Sequence, residues 1–275
     1  MAGESFYDVL TAAISDIAAN GYDSQDRIAY WSQRIRDSAA KTMASEAMMA
    51  QMLRDALAAV YSRMVDKGQA LKLHPGIARF TIERVRPALR AELDRRIMAA
   101  ADLIKLNRKA AIDKTLQRFA GWSTSIPAGG SDAADKGEAK TAIRKSLSAL
   151  PFEERRVLID QGHKLRASIS EVLAKDGRAL AGVWNSHWRQ AGYNFRPDHK
   201  DRDLLVYAVR GSWAIEAGLV KQGAAGYYDE ITAAAEEPFC RCYIKWLYNL
   251  RDLPEDMLTG KGRAALDEAQ ARLRA

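Results

Sequence analysis

The sequence holds few of the residues that mark several large classes of protein. Its 275 residues include two cysteines and seven prolines. Two cysteines cannot form the disulfide framework of a small secreted domain. The low proline content, together with abundant alanine, favours helices over a β-sandwich or a β-barrel.

Long apolar runs and targeting signals are also missing. No uninterrupted apolar stretch of the sequence approaches the length of a membrane-spanning helix. Residues 1–5 lack the basic and then apolar plan of a secretion signal. We therefore expect the protein to be located in a cytoplasm, or in an assembly formed there.

Several enzyme signatures are absent as well. The sequence has no glycine-rich phosphate loop, no G-x-S-x-G, no H-E-x-x-H and no dinucleotide fingerprint. The net charge of +7 predicts a mild attraction to polyanions, although the basic residues are spread along the chain and interleaved with acids. No nucleic-acid-binding motif is present. Non-specific binding of nucleic acid stays open as one alternative, and it would show a steep salt dependence.

Apolar residues recur at helical spacing over most of the chain. The pattern predicts an amphipathic helix over residues 5–19, ended by Asn20-Gly21. A second helix is predicted to run unbroken over residues 23–66. A third covers residues 77–119 and is kinked at Pro87. The short turn between the last two predicts an antiparallel helical hairpin.

The composition changes over residues 121–136, where small and helix-breaking residues predict a linker. The predicted domains are an elongated helical domain at 1–122, a linker at 123–136, and a helical plus mixed domain at 137–275. Further elements are predicted as helices at 137–150, 151–161, 162–191 and 263–274, and as strands at 204–209 and 242–248. The fold class is therefore mainly α, with a long N-terminal helical hairpin or bundle and a smaller α+β C-terminal module.

Two short segments carry most of the functional information. The first is Pro238-Phe239-Cys240-Arg241-Cys242, which contains both cysteines, and the second is the charged segment at 195–203. Cys240 and Cys242 supply two thiolates, and His199 supplies a nitrogen, for a predicted zinc site, with His187 as a further candidate ligand. The C-x-C spacing is shorter than the usual two to four intervening residues.

Other interpretations of these residues stay open. The two cysteines are otherwise reduced, partly buried thiols. Cys240 and His199 also have the residue types of a nucleophile and its base. A different enzyme site, in a hydrolase, transferase or effector, would use the dense acids and histidine of the second segment, namely Asp198, His199, Asp201 and Asp203.

The order of these features resembles the phage head-morphogenesis family, the Mu-F-like minor head proteins. The resembling features are a helix that ends near Trp184 and Trp188, the element Arg196-Pro197-Asp198-His199, and the Pro-x-Cys-Arg-Cys segment at 238–242. The resemblance covers roughly residues 155–248. This chain has Glu237 where the family commonly has a histidine, and it lacks the earlier Cys-x-x-Cys of many members.

The resemblance implies a structural role in a virion rather than an enzymatic one. It implies a multi-copy minor head protein that contacts the portal and capsid proteins inside the phage head. The protein would be assembled in the cytoplasm of the bacterial host and would lie close to the packaged double-stranded DNA, touching it non-specifically if at all. It implies no organic cofactor.

Overall fold

The computed structural model describes residues 4–274, and its secondary structure is mainly helical. The helices are α1 (Phe6–Asn20), α2 (Gln25–Thr42), α3 (Glu46–Met64), α4 (Phe80–Ser123), α5 (Lys136–Asp176), α6 (Pro197–Asp201), α7 (Trp213–Glu216) and α8 (Gly260–Arg274). The strands are β1 (Ala181–Asn185), β2 (Val206–Ala208) and β3 (Tyr243–Leu247). The predicted fold class, helices packed at the N-terminus and a smaller α+β part at the C-terminus, is confirmed.

The chain divides into two compact units. The first comprises the residues up to Leu53 together with Ala99–Val157, and the second comprises Arg54–Met98 together with the residues from Leu158 onward. The predicted linker, residues 123–136, corresponds to the segment between α4 and α5 and belongs to the first unit. The predicted domains 1–122 and 137–275 stay a prediction.

The first unit is organised around α1, which forms where the sequence predicts it. Ser5 caps its N-terminus, because the Ser5 hydroxyl accepts from the Asp8 backbone N–H and the Asp8 carboxylate accepts from the Ser5 N–H. Gly21, with a φ of 74°, ends the helix in a conformation that favours glycine. The buried face of α1 packs into one apolar cluster with Trp31, Ile35, Phe119 and Ile143.

The unbroken helix predicted over residues 23–66 is wrong. Helix α2 ends at Thr42 and α3 begins at Glu46. Met43 is extended, with a ψ of 145°, and the Ser45 hydroxyl accepts from the Met48 backbone N–H. A serine in this position satisfies an N–H group that has no partner within the helix, so it starts a new helix rather than continuing the old one.

The predicted helix boundaries around α5 are also wrong. Helix α5 continues through Pro151, where the sequence suggested the start of a separate helix, and then ends at Asp176 instead of continuing to residue 191. At Gly177 a Cβ atom would lie 2.3 Å from the side chain of Ile77, so a larger residue there would force Ile77 to move. Arg178 follows with a φ of 57°, which turns the chain out of the helix and into β1.

The sheet has the order β2-β1-β3, and all pairs are antiparallel. The two strands predicted from the sequence, at 204–209 and 242–248, correspond to β2 and β3. Gly182 of β1 pairs with Trp246, and a Cβ atom at Gly182 would lie 2.5 Å from the side chain of Ile244. Close packing over β1 therefore depends on a residue without a side chain.

None of the helices described between residues 4 and 274 is both long enough and apolar enough to cross a membrane.

Candidate metal centre

His199 is placed by the short helix α6. Pro197 occupies the first turn of α6, where its missing N–H costs nothing. The His199 N–H donates to the Arg196 carbonyl at 3.1 Å, which tightens this turn. The His199 side chain points inward and is 2% exposed, although the neighbouring Asp198 and Lys200 are exposed.

The two cysteines are placed by a turn that precedes β3. Phe239 has a φ of 61°, which is uncommon for a residue other than glycine, and its N–H donates to the Asp160 carboxylate at 2.6 Å. The Cys240 N–H donates to the Glu237 carbonyl at 3.2 Å. After this turn the chain extends into β3, so Cys240 and Cys242, two residues apart, present their thiols to the same side. Both residues are buried.

The structure brings His199, Cys240 and Cys242 together, with their ligand atoms all within 4.8 Å of one another. The His199 Nδ1 atom lies 3.5 Å from the Cys240 Sγ and 3.6 Å from the Cys242 Sγ. In a tetrahedral zinc site, with Zn–S bonds of about 2.3 Å and a Zn–N bond of about 2.0 Å, sulfur and nitrogen ligands lie about 3.5 Å apart. These spacings therefore fit a shared cation.

The opposite side of the His199 ring faces a carboxylate. The His199 Nε2 lies 3.0 Å from the Glu237 Oε2, although the two atoms are not aligned for a hydrogen bond. Arg196 holds this carboxylate, with its Nε 2.8 Å from the Glu237 Oε2, and also donates to the Pro238 carbonyl at 3.1 Å. A carboxylate behind a ligating histidine fixes the ring and raises its basicity, which is common around protein-bound metals.

The two thiols share their protons unequally. A hydrogen bond with the Cys242 thiol lowers the pKa of Cys240 to about 6, despite burial. The hydrogen bond with Cys240, followed by burial, raises the pKa of Cys242. The pair therefore favours one negative charge at neutral pH. A divalent cation would take the place of the remaining proton.

Aromatic rings cover the ligand group. The Trp184 ring meets the His199 ring edge to face at 5.3 Å, and the Arg202 guanidinium lies over Trp184 at 5.1 Å. Trp184 belongs to β1 and is fully buried. The cluster is therefore packed into the core beside the sheet.

The other candidate residues have different surroundings. His187 lies outside the ligand group, with its ring 6.0 Å from that of Tyr243. Asp198 pairs with Arg202 at 2.9 Å and lies 3.8 Å from the His199 Nε2. Asp203 accepts from the Ser186 N–H and from the Trp188 Nε1, both at 2.8 Å.

Among the acids of this segment, Asp198 alone lies within 4 Å of a ring nitrogen of His199. Asp201 is exposed, and both carboxylate oxygens of Asp203 accept hydrogen bonds from neighbouring donors. The distance between Cys240 and His199 is also compatible with a nucleophile and its base. However, Cys240 is 1% exposed and His199 is 2% exposed, so a substrate has little access to either. The geometry favours holding a cation over attacking a substrate.

Comparison with protein-family models, with curated proteins and with solved structures finds no match for this chain.

The sequence did not indicate which residues contact the ligand group, nor that His74 belongs to the core of the second unit. Glu237 stands where the resembling family commonly has a histidine, yet it lies against the ring of His199. The segment His74-Pro75-Gly76 has the sequence of a turn, yet His74 is 1% exposed and contacts Tyr248 and Ser170, at 2.5 and 3.2 Å. The available signal was the short distance of Glu237 and Arg196 from the candidate ligands in the sequence.

Proposed function

We propose that this chain is a structural protein of phage head assembly, a minor head protein, and that it is not an enzyme. The observation that carries the proposal is the meeting of two of the three features on which the family resemblance rests, the element at 196–199 and the cysteine segment at 238–242. His199 and Cys240 are 41 residues apart in sequence, and their side chains are in contact. Arg196, from the same element as His199, binds the carbonyl of Pro238 at the start of the cysteine segment.

The burial of the ligand group supports a structural role for it. A buried group joins the elements that carry it, and its burial restricts the access of a substrate to the fourth position that three ligands leave open in a tetrahedral site. Here the group joins α6 to the segment that leads into β3. Three short strands bury little surface, so an additional link between distant segments stabilises such a module.

Zinc is the ion that we propose for this group. Thiolate and imidazole are its usual protein ligands, and tetrahedral spacing matches the distances between Nδ1 and the two sulfurs. His199, Cys240 and Cys242 would hold the ion, and Glu237 would orient the histidine. A bound zinc supplies folding free energy to the segment around it.

The proposed partners are the portal and capsid proteins of the phage head. The chain would be present there in several copies and would be assembled in the cytoplasm of the bacterial host. The net charge of +7 supports a position beside packaged double-stranded DNA, with contacts that do not depend on sequence.

The test is to quantify the protein in purified virions and head precursors of the phage that encodes it. We expect it in both, at a constant ratio to the portal protein. A deletion should reduce the yield of normal heads, and the wild-type chain should restore it. A chain with His187→Gln, which is altered outside the ligand group, should also restore the yield of normal heads. Absence of the protein from both virions and head precursors would contradict the proposal.

A further inference from the structure

The second unit contains a cavity of about 460 Å³ that neither the cluster nor the proposed role in assembly explains. This volume falls in the range of protein sites for small organic ligands. One wall is a face of α5, where residues at helical spacing line the cavity, namely His163, Arg166, Ala167, Ser170 and Glu171. A second wall is one face of β3 and the residue before it, namely Cys242, Ile244 and Trp246.

Positive charge is concentrated at one end of the cavity. Burial, and then the nearby charges of Arg166, Arg241 and His187, lower the pKa of His163. Lys72 adds a further cation to the lining. Within the part of the chain that the structure describes, Arg166 and Arg241 form no ion pair with a carboxylate, and Arg241 stacks over Tyr193 instead.

The acids nearby do not neutralise these cations. Asp160 is occupied by Lys164 at 3.4 Å and by the N–H of Phe239 at 2.6 Å. Glu171 lies at the other end of the α5 wall, and burial raises its pKa, which reduces the negative charge it brings to the cavity. The cavity therefore offers two guanidinium groups to an anion from solution, and guanidinium groups match the oxygens of phosphate or carboxylate.

The other end of the cavity is aromatic. The Tyr228 ring meets the Trp246 ring edge to face at 5.0 Å, and the Trp246 Nε1 donates to the Ser170 hydroxyl at 3.0 Å. The Tyr228 hydroxyl lies 3.0 Å from the Glu171 carboxyl group. These groups offer ring surfaces and hydrogen bonds to a planar body. From residue 163 to residue 171, the α5 wall spans about 12 Å.

We propose that this cavity binds a small anion with a planar ring, of the chemical class of a nucleoside monophosphate. The phosphate lies at Arg166 and Arg241, and the ring lies beside Tyr228 and Trp246. The proposal does not depend on a role in the phage head, because it rests on the walls of the cavity alone. Two kinds of molecule carry a phosphate group next to a base, namely a free nucleotide and the end of a nucleic-acid strand.

Isothermal titration calorimetry on the purified full-length chain tests the class of ligand. Adenosine monophosphate should bind saturably. Adenosine should bind at least about tenfold more weakly, because it lacks the charge-assisted hydrogen bonds to the guanidinium groups. Inorganic phosphate should also bind more weakly, because it lacks the ring. Equal affinity for adenosine and its monophosphate, or no saturable binding of the monophosphate at millimolar concentration, would overturn the proposal.

Variants locate the binding in the cavity. Arg166→Gln should weaken binding of adenosine monophosphate at least about tenfold. Arg155→Gln is the matched control, since Arg155 is exposed on the same helix and does not line the cavity. Ala167→Phe fills the space between the walls, so it should abolish binding while the protein still melts cooperatively. Equal losses in the two arginine variants, or unchanged binding in Ala167→Phe, would overturn the proposal.

Competition with a 5′-phosphorylated single-stranded trinucleotide identifies the source. Displacement of bound adenosine monophosphate points to the end of a strand. Failure to displace it points to a free nucleotide. Either result supports the proposed class of ligand, given the binding expected above.

Discussion

The two compact units of the chain bury different chemistry. The main core of the first unit consists of aliphatic and aromatic side chains, such as Leu10, Ile14 and Phe119. In the second unit one core cluster contains both thiols together with Trp184 and Trp246. Apolar packing is non-directional and tolerates exchange of similar residues. A core built on sulfur, imidazole and indole depends on particular pairs of atoms. We therefore expect the second unit to be the more sensitive to single atomic changes.

Removing one ligand should have the largest effect. If the proposed zinc is bound, Cys240→Ser or His199→Gln should abolish metal binding and lower the free energy of unfolding, on the order of 5 kcal/mol, because the ion would no longer link α6 to the cysteine segment. Chemical denaturation with and without a chelator measures the loss. His187→Gln is the control and should keep both metal and stability. Two results together would contradict this expectation. The ligand variant would be as stable as the wild-type protein, and the stability of the wild-type protein would not change when the chelator is added.

A matched pair of glycine substitutions compares the two units directly. Gly182→Ala should destabilise by about 1 to 3 kcal/mol, because the new Cβ would lie 2.5 Å from the side chain of Ile244. Gly121→Ala, in α4, meets nothing within 4 Å and should stabilise by up to about 1 kcal/mol through helix propensity. Urea unfolding of both variants measures the difference. Equal effects of the two substitutions would remove the predicted contrast.

His74, which is buried in the second unit, should make the free energy of unfolding depend on pH. Burial lowers the pKa of His74 to about 4 in the folded protein, from an ordinary value near 6.5. Below pH 6.5 the unfolded chain therefore binds a proton that the folded chain rejects. Stability is full above this pH and is lost as the pH falls toward 4, by about 2 kcal/mol at pH 5.

His74→Asn isolates this contribution. The variant keeps a polar group beside Tyr248 but does not titrate in this range. Unfolding at pH 8 and at pH 5 should show a smaller pH-dependent loss in the variant than in the wild-type protein. An identical loss in both proteins would assign the pH dependence to other groups.

The smallest effect is expected in the first unit. Ser45→Ala removes the hydroxyl that accepts from the Met48 N–H, and it should cost about 1 kcal/mol. Ser125→Ala is a suitable control, because Ser125 lies beyond the C-terminal end of α4. Its hydroxyl donates to the Trp122 carbonyl and caps no helix N-terminus. Thermal unfolding of the two variants measures the cap. No difference between them would show that α3 starts without help from Ser45.

The sequence was sufficient where local signals agree. The cap at Ser5, the apolar face of α1 and the stop at Gly21 all lie within one short segment, and the helix was predicted correctly. At the end of α5 the helical spacing of apolar residues continues past Asp176, so spacing alone predicted a longer helix. The chain leaves α5 at Arg178, which has a φ of 57°, and a Cβ atom at the preceding Gly177 would meet the side chain of Ile77, which lies far away in the sequence. Such a contact leaves no local pattern.

The candidate site was predictable to a similar extent. The rarity of cysteine drew attention to Cys240 and Cys242, and the charged segment drew attention to His199. The support from Glu237 depends on the turn at Phe239, whose positive φ a phenylalanine rarely adopts. The cavity was not predicted, because its two walls come from a helix and a strand with a long stretch of chain between them.

Metal analysis of the full-length chain, combined with X-ray absorption at the zinc edge, tests directly whether His199, Cys240 and Cys242 hold a metal ion. The proposed zinc site requires one zinc per chain, with two sulfur ligands at about 2.3 Å and at least one imidazole nitrogen. A folded, metal-free chain whose stability does not change on addition of zinc would contradict it.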